Sequence, residues 1–239
     1  VGQDRQPGEP RQRSDAMILM SCNLTTGNIT MISFLRDSYV YIPGYRDNKL
    51  NAAYVYGGFE CLNQTLAVNF GIHVDANVEV DFDGFRGIID LLGGVDISLT
   101  QAEVRYLRDL GYTGLQVGMN HMNGDLALEY SRIRKIDSDA ARAGRQRTVI
   151  TALINKYKDQ SLADMLGLLE QILPLITTDM TNDQIVTYIW DLFPLLSTAQ
   201  LGAQQIPAAG TFENTHVGDI RDAKVMDMAA NREILRKLL

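Results

Sequence analysis

Two apolar runs of strand length, residues 17–24 (MILMSCNL) and 29–35 (ITMISFL), are separated only by the turn-rich Thr25-Thr26-Gly27-Asn28. Continuous apolar runs of this length suit strands in a largely buried sheet, and the short connector predicts a hairpin. Charge falls at the ends of the pair: Asp15 opens the first strand, while Arg36 and Asp37 close the second. In an antiparallel pair those three residues lie at the same end of the sheet.

The rest of the chain builds outward from that hairpin. Residues 2–13 hold Pro7, Gly8 and Pro10 and read as a loop; residues 39–42 (YVYI) read as a short strand that turns at Pro43-Gly44. Leu50, Ala53 and Tyr54, then Leu62, Leu66 and Phe70, recur at helical period but are interrupted by Gly57-Gly58, which predicts two helical pieces. Residues 74–82 alternate as a strand, 83–92 form a short amphipathic helix stopped by Gly93-Gly94, and 95–99 form another strand. This β–α–β succession predicts an α/β sheet layered by helices. Residues 115–130 read as a loop running into a helix. Further helices are expected over 145–157, 162–173 and 182–193, the last capped by Thr181, followed by a strand at 200–206, a loop and a final helix at 227–238. The late helices carry more apolar positions than a narrow stripe needs, which fits either core packing or a groove for a lipid chain.

At 239 residues, 46% hydrophobic and 21% charged, the chain is sized and composed for one domain, residues 1–239. A net charge of −7 argues against a general nucleic-acid binder, which needs a broad basic surface. A bilayer span needs about eighteen or more apolar residues in a row, and the sequence holds no such run and no signal-peptide pattern. The abrupt Val1-Gly2-Gln3-Asp4 looks like the end of a strand, so a preceding membrane anchor is expected. Cys22 and Cys61 are too few for a disulfide scaffold and read as buried thiols, a single bridge being the minor alternative.

Chemistry concentrates in residues 130–147 (YSRIRKIDSDAARAGRQR), where six basic side chains meet two acids, Asp137 and Asp139. Five of the six are arginines, whose planar forks grip phosphate or carboxylate oxygens in pairs. Arg132 and Arg134 share a side if extended, and Arg142, Arg145 and Gln146 share a helix face. A solvated basic face is the alternative.

Familiar catalytic templates are absent: no HExxH, no GxSxG, no Walker loop, no GxGxxG before a helix. What remains is carboxylates at strand ends (Asp4, Asp15, Asp37) together with Arg36 and the later arginines. Acids beside an arginine nest make sense if Mg²⁺ bridges them to a phosphate, the constellation of phosphoryl transfer.

Ordered blocks then carry a resemblance: GQDR at residues 2–5, RSD at 13–15, SFLRDSYVYIPG at 33–44, KLNAAYVYGG at 49–58, DLLGGVDI at 90–97 and MNGDLALEYSRIRKIDSDAARAGRQ at 122–146. The chain resembles the LytR-CpsA-Psr family of bacterial cell-envelope phosphotransferases. That resemblance implies an α-β-α layered sandwich with a central mixed, largely antiparallel sheet and a hydrophobic lipid tunnel. It also implies an extracellular catalytic domain behind an N-terminal membrane helix. The activity implied is transfer of a glycopolymer phosphate, such as teichoic acid or capsular polysaccharide, from a polyprenyl-pyrophosphate carrier onto a peptidoglycan hydroxyl. Asp4 and Asp15 are implied as Mg²⁺ ligands, and Arg36, Arg132, Arg134, Arg142, Arg145 and Gln146 as pyrophosphate contacts. Asp37 is the first candidate for general base, with Arg36, Arg132 and Arg134 beside it in the catalytic set. Ala16 stands where the family often has Thr, and Phe34-Leu35 where it often has Ile-Pro; neither change removes a charge. A prenyl-pyrophosphate pyrophosphatase and a non-catalytic binding module are the competing readings.

Overall fold

The computed structural model describes residues 1–3 and 14–239. Strand β1 (Gly2–Gln3) pairs antiparallel with β2 (Ser14–Ala16). The expected hairpin follows as β3 (Ile18–Cys22) and β4 (Ile29–Phe34), in register from Ile18 opposite Ser33 to Cys22 opposite Ile29. Its turn is set by the Asn23 Oδ1, which accepts from the Thr25 and Thr26 amides at 3.0 Å each. Burial differs between the two strands. β4 is buried almost throughout because its second edge takes the late strand Leu201–Ile206, in parallel; β3 is only half-buried. Cys22 and Cys61 are free thiols.

A small hairpin of β5 (Tyr39–Val40) and β6 (Asn48–Lys49) leads into α1 (Leu50–Phe70). Gly57 (φ −150°, ψ 21°) and Gly58 (φ 64°, ψ −147°) break α1 into the two pieces the sequence predicts. Gly58 occupies a region open in practice to glycine alone. Strand β7 (Val78–Glu79) is much shorter than the 74–82 expected. A competing acceptor is present: Asp179 takes the Asn77 backbone amide at 2.7 Å, removing it from any ladder, and holds the side-chain amide at 2.6 Å.

Helix α2 (Phe82–Leu91), capped by Asp81, and β8 (Val95–Leu99) follow as expected. Helix α3 (Gln101–Asp109) and strand β9 (Gly118–Met122), antiparallel to β8, were not anticipated. The signal for α3 is a capping box between Thr100 and Glu103. Then come α4 (Gly124–Arg132), α5 (Asp139–Tyr157), α6 (Leu162–Ile172), β10 (Thr177–Thr178) against β7, and α7 (Asn182–Leu196). Strand β11 (Leu201–Ile206) is the parallel partner of β4; β12 (Phe212–Val217) and β13 (Ile220–Met226) form a hairpin where a loop was expected, and α8 (Met228–Leu238) closes the chain.

The α/β class with mixed, mainly antiparallel pairing holds, although the ladders are short and cluster around the three-stranded β3–β4–β11 unit. Period-two alternation makes the layers. Ile32 and Phe34 of β4 enter a core with α1 and α8, whereas Ser33 faces α5 and is bonded by Arg147 at 2.6 Å. A second core joins α2, α3, α4 and α5 to β8 and β9, and α5 also packs against β4 and β11. No residue of α6 is buried, and only Ile185 of α7 is. Among the described residues no helix is long and apolar enough to cross a membrane.

Candidate active site

The sheet end carrying Asp15 and Arg36 faces the first turns of α5. Asp15 and Ala16 come from β2, Ser33 to Arg36 from the end of β4, and Asp139, Arg142, Ala143 and Gln146 from α5; together they line one small cleft. Its free volume, about 10 Å³, has room for roughly one water molecule. The α5 helix begins at Asp139, six residues earlier than expected, because Ser138 caps it through the Ala141 amide at 3.2 Å. That early start puts Arg142 near the positive end of the helix dipole, where anions are favoured.

Arg36 donates from Nη1 to Asp15 Oδ1 at 2.5 Å and lies 3.4 Å through Nε from Asp37 Oδ2. Burial would lower its pKa, but the Asp15 hydrogen bond and the charges of Asp15, Asp37 and Asp139 outweigh that and raise it. Arg142 is the opposite case. It is buried, and burial together with the like charges of Arg36 and Arg134 holds its pKa low despite Asp139, 3.2 Å away, and Asp15. Two guanidinium groups from distant parts of the chain are thus held close enough to repel each other, a cost that an incoming polyanion would remove.

The other arginines divide by role. Arg134 is half-exposed and reaches Asp139 at 3.5 Å, so Asp139 links it to Arg142. Arg132 lies over the Phe82 ring, 4.4 Å from its centroid, and pairs with Glu129 at 3.2 Å. Arg132 ends α4 and buried Ile133 (φ −53°, ψ 124°) follows it, leaving Arg132 and Arg134 both partly exposed.

Arg145 is placed differently from Arg142 and Gln146. Its buried guanidinium donates to Glu103 Oε1 at 2.7 Å, to the Ile133 carbonyl at 3.1 Å and to both oxygens of Asp137. Four of its five N–H groups are therefore committed inside the protein, leaving little to offer a ligand. It fixes the Ile133–Asp137 segment that presents Arg132 and Arg134.

Asp37 is also engaged: Lys49 Nζ sits 2.7 Å from Oδ1 and Arg36 on the other oxygen. Burial would raise its pKa, yet the Lys49 hydrogen bond and the charges of Arg36, Lys49 and Lys224 hold it below the ordinary carboxylate value. Asp4 lies outside the described residues. Among the described residues no group of three or more His, Cys, Asp or Glu is disposed around a metal. Asp15, half-exposed with one oxygen on Arg36, can give its second oxygen to a cation, and Asp139 in the same cleft is paired to Arg134 and Arg142 through Oδ1. Mg²⁺ commonly takes one or two carboxylates plus water and substrate phosphate, so this donor set fits it.

Comparison with known proteins matches residues 1–233 to the model of the LytR_cpsA_psr family. The chain belongs to the LytR-CpsA-Psr family. Among curated members it is 37% identical over 152 residues to the polyisoprenyl-teichoic acid–peptidoglycan teichoic acid transferase TagT of Bacillus subtilis, covering 62% of this chain and 47% of that protein. It is 34% identical over 198 residues to the corresponding TagU of Oceanobacillus iheyensis, covering 79% and 60%. The chain thus spans about half the length of these relatives. The solved structure of TagT bound to LIIa-WTA superposes with a TM-score of 0.75 at 27% identity, over 95% of this chain and 84% of that one.

Within this LytR-CpsA-Psr family member, three residues around the site were not picked out from the sequence. Lys49 carried a signal, as a lone cation opening the KLNAAY block, and Glu103 carried one in its capping box. Phe82 was hidden inside an ordinary strand-to-helix junction.

Proposed function

We propose that this chain carries the transfer site of an envelope phosphotransferase. It moves a glycopolymer phosphate, teichoic acid or a related polymer, from a polyprenyl-pyrophosphate carrier to a peptidoglycan sugar hydroxyl. The observation that carries this reading is the convergence of Arg36 with Arg142 and Gln146 around Asp15 and Asp139, a cationic nest with carboxylates in the same cleft. The names of the TagT and TagU relatives support the same substrate class.

In the proposed reaction the acceptor hydroxyl oxygen attacks the polymer-side phosphorus in line. A new O–P bond forms, the bond to the bridging oxygen breaks, and prenyl phosphate leaves with the electron pair while the hydroxyl proton passes to the departing phosphate oxygen or to water. Arg36 and Arg142 neutralise charge on the phosphoryl oxygens, and Arg132 and Arg134 hold the outer end of the pyrophosphate. Mg²⁺, held by Asp15 and, as the family resemblance implies, Asp4, would supply charge neutralisation at the diphosphate. Asp37, with both oxygens engaged and its pKa depressed, is a weak base. Its proposed work is to hold Arg36 at the cleft rim. The incompletely covered apolar faces of α6 and α7 suit a prenyl chain, and a site at the outer face of the membrane follows from such a donor.

Purified lipid-linked donor and peptidoglycan acceptor, with and without Mg²⁺, test the reading. Transfer should require the metal and disappear in Arg132→Ala with the fold intact. Retained transfer in that variant would refute the site. Phosphate release from donor without acceptor would identify a pyrophosphatase, and Mg²⁺-independent binding by wild type with no turnover of any acceptor a binding module.

A further inference from the structure

Tyr45 and Tyr56 stack on the surface with ring centroids 4.5 Å apart and planes at 21°. They remain 48% and 37% exposed, so much of both rings faces solvent. The stack is locked. The Tyr45 hydroxyl donates to the Tyr56 carbonyl at 3.3 Å, and Asn48 Nδ2 donates to the Tyr56 hydroxyl at 2.8 Å. A preformed aromatic surface costs little ordering entropy on binding.

Its place in the fold ties it to the cleft. Tyr39 pairs with Lys49 across β5–β6, and Lys49 holds the Asp37 that holds Arg36. The start of α1 is pinned to the same segment, Leu50 N to the Ser38 carbonyl at 2.8 Å and Asn51 N to the Arg36 carbonyl at 3.2 Å. Tyr56 lies six residues further along α1, roughly 9 Å up the helix axis. Arg46, the cation beside the stack, is paired with Asp219 at 3.1 and 3.3 Å and so offers no free charge to an anionic polymer.

We propose that the Tyr45–Tyr56 stack is the acceptor platform, receiving an uncharged pyranose ring of the peptidoglycan glycan strand and directing its hydroxyl toward Arg36. Sugar C–H faces stack on tyrosine rings, and the phenolic edges supply hydrogen bonds to ring hydroxyls. This rests on the transferase reading above and names the part of the surface that its second substrate uses.

The test measures binding of a soluble β-1,4-linked N-acetylglucosamine tetramer to the whole chain by NMR titration or calorimetry. Tyr45→Ala and Tyr56→Ala should each weaken the tetramer roughly tenfold, whereas Tyr45→Phe, which keeps the ring, should bind within about twofold of wild type. Farnesyl pyrophosphate binding should be unchanged in all three. Unaltered tetramer affinity in the alanine variants, or no tetramer binding by wild type at millimolar concentration, would overturn the platform. Failure of the transferase reading appears separately, as farnesyl pyrophosphate binding that ignores Arg36→Ala.

Discussion

Arg36 Nη1 lies 2.5 Å from Asp15 Oδ1, joining the end of β4 to β2 at the mouth of the cleft. The pair shares one oxygen and leaves the other open, so each partner has a separable task. Arg36→Ala should cut transfer at least ~10²-fold, as removal of a transition-state charge donor does. Asp15→Asn should abolish the Mg²⁺ response while leaving metal-free binding of a prenyl pyrophosphate equal or tighter, because a negative charge is gone. Calorimetry with and without Mg²⁺ separates the two; weaker metal-free binding in Asp15→Asn would contradict the assignment.

Arg142 and Arg145 are one helical turn apart and should respond in opposite ways. Arg142 sits among like charges, so Arg142→Ala should leave the thermal midpoint of the free protein unchanged or raised, while weakening prenyl-pyrophosphate binding roughly ten- to hundredfold. Arg145→Ala strands the buried Glu103 carboxylate and leaves the partly exposed Asp137 without its partner, and should cost about 3–5 kcal/mol, most of it at Glu103. Differential scanning calorimetry of both variants checks the contrast; equal destabilisation would remove it.

Much of this arrangement was legible in the sequence because short-range patterns encode it. The β3–β4 hairpin, the break at Gly57-Gly58, and the charges at one sheet end all follow from local period and turn chemistry. The sorting of the arginines was not legible. Arg142 and Arg145 fall on one helix face by spacing, yet Glu103 on α3 draws Arg145 into the second core. That partner lies in a short helix marked by a four-residue capping box and an apolar stripe at Val104 and Leu107. The hairpin β12–β13 was missed because its strands are largely exposed and carry no apolar alternation to mark them.

Asp37 gives a pH prediction with a definite sign. Its folded pKa is below the unfolded value, so its pairing stabilises the fold fully above the ordinary carboxylate pKa and is lost as pH falls through the lower, folded one. Wild type should therefore be more stable than Asp37→Asn at pH 7, with the difference fading below about pH 4. Urea denaturation at several pH values measures this. A difference that grows on acidification would reverse the sign.

Arg132 is held over Phe82 because α2 and α4 pack closely. A Cβ on Gly124 would stand 2.4 Å from the Arg86 carbonyl, so glycine is needed there for the approach that brings Phe82 under the Arg132 guanidinium. A cation over an exposed ring is worth about 0.5–1 kcal/mol, so Phe82→Leu should slow transfer by roughly two- to fivefold without shifting the thermal midpoint much. Phe82→Trp, offering a stronger face, should restore or exceed wild-type rate. Steady-state kinetics on the three proteins decide it: if leucine and tryptophan behave alike, the ring acts only as apolar bulk and the orientation of Arg132 comes from Glu129 alone.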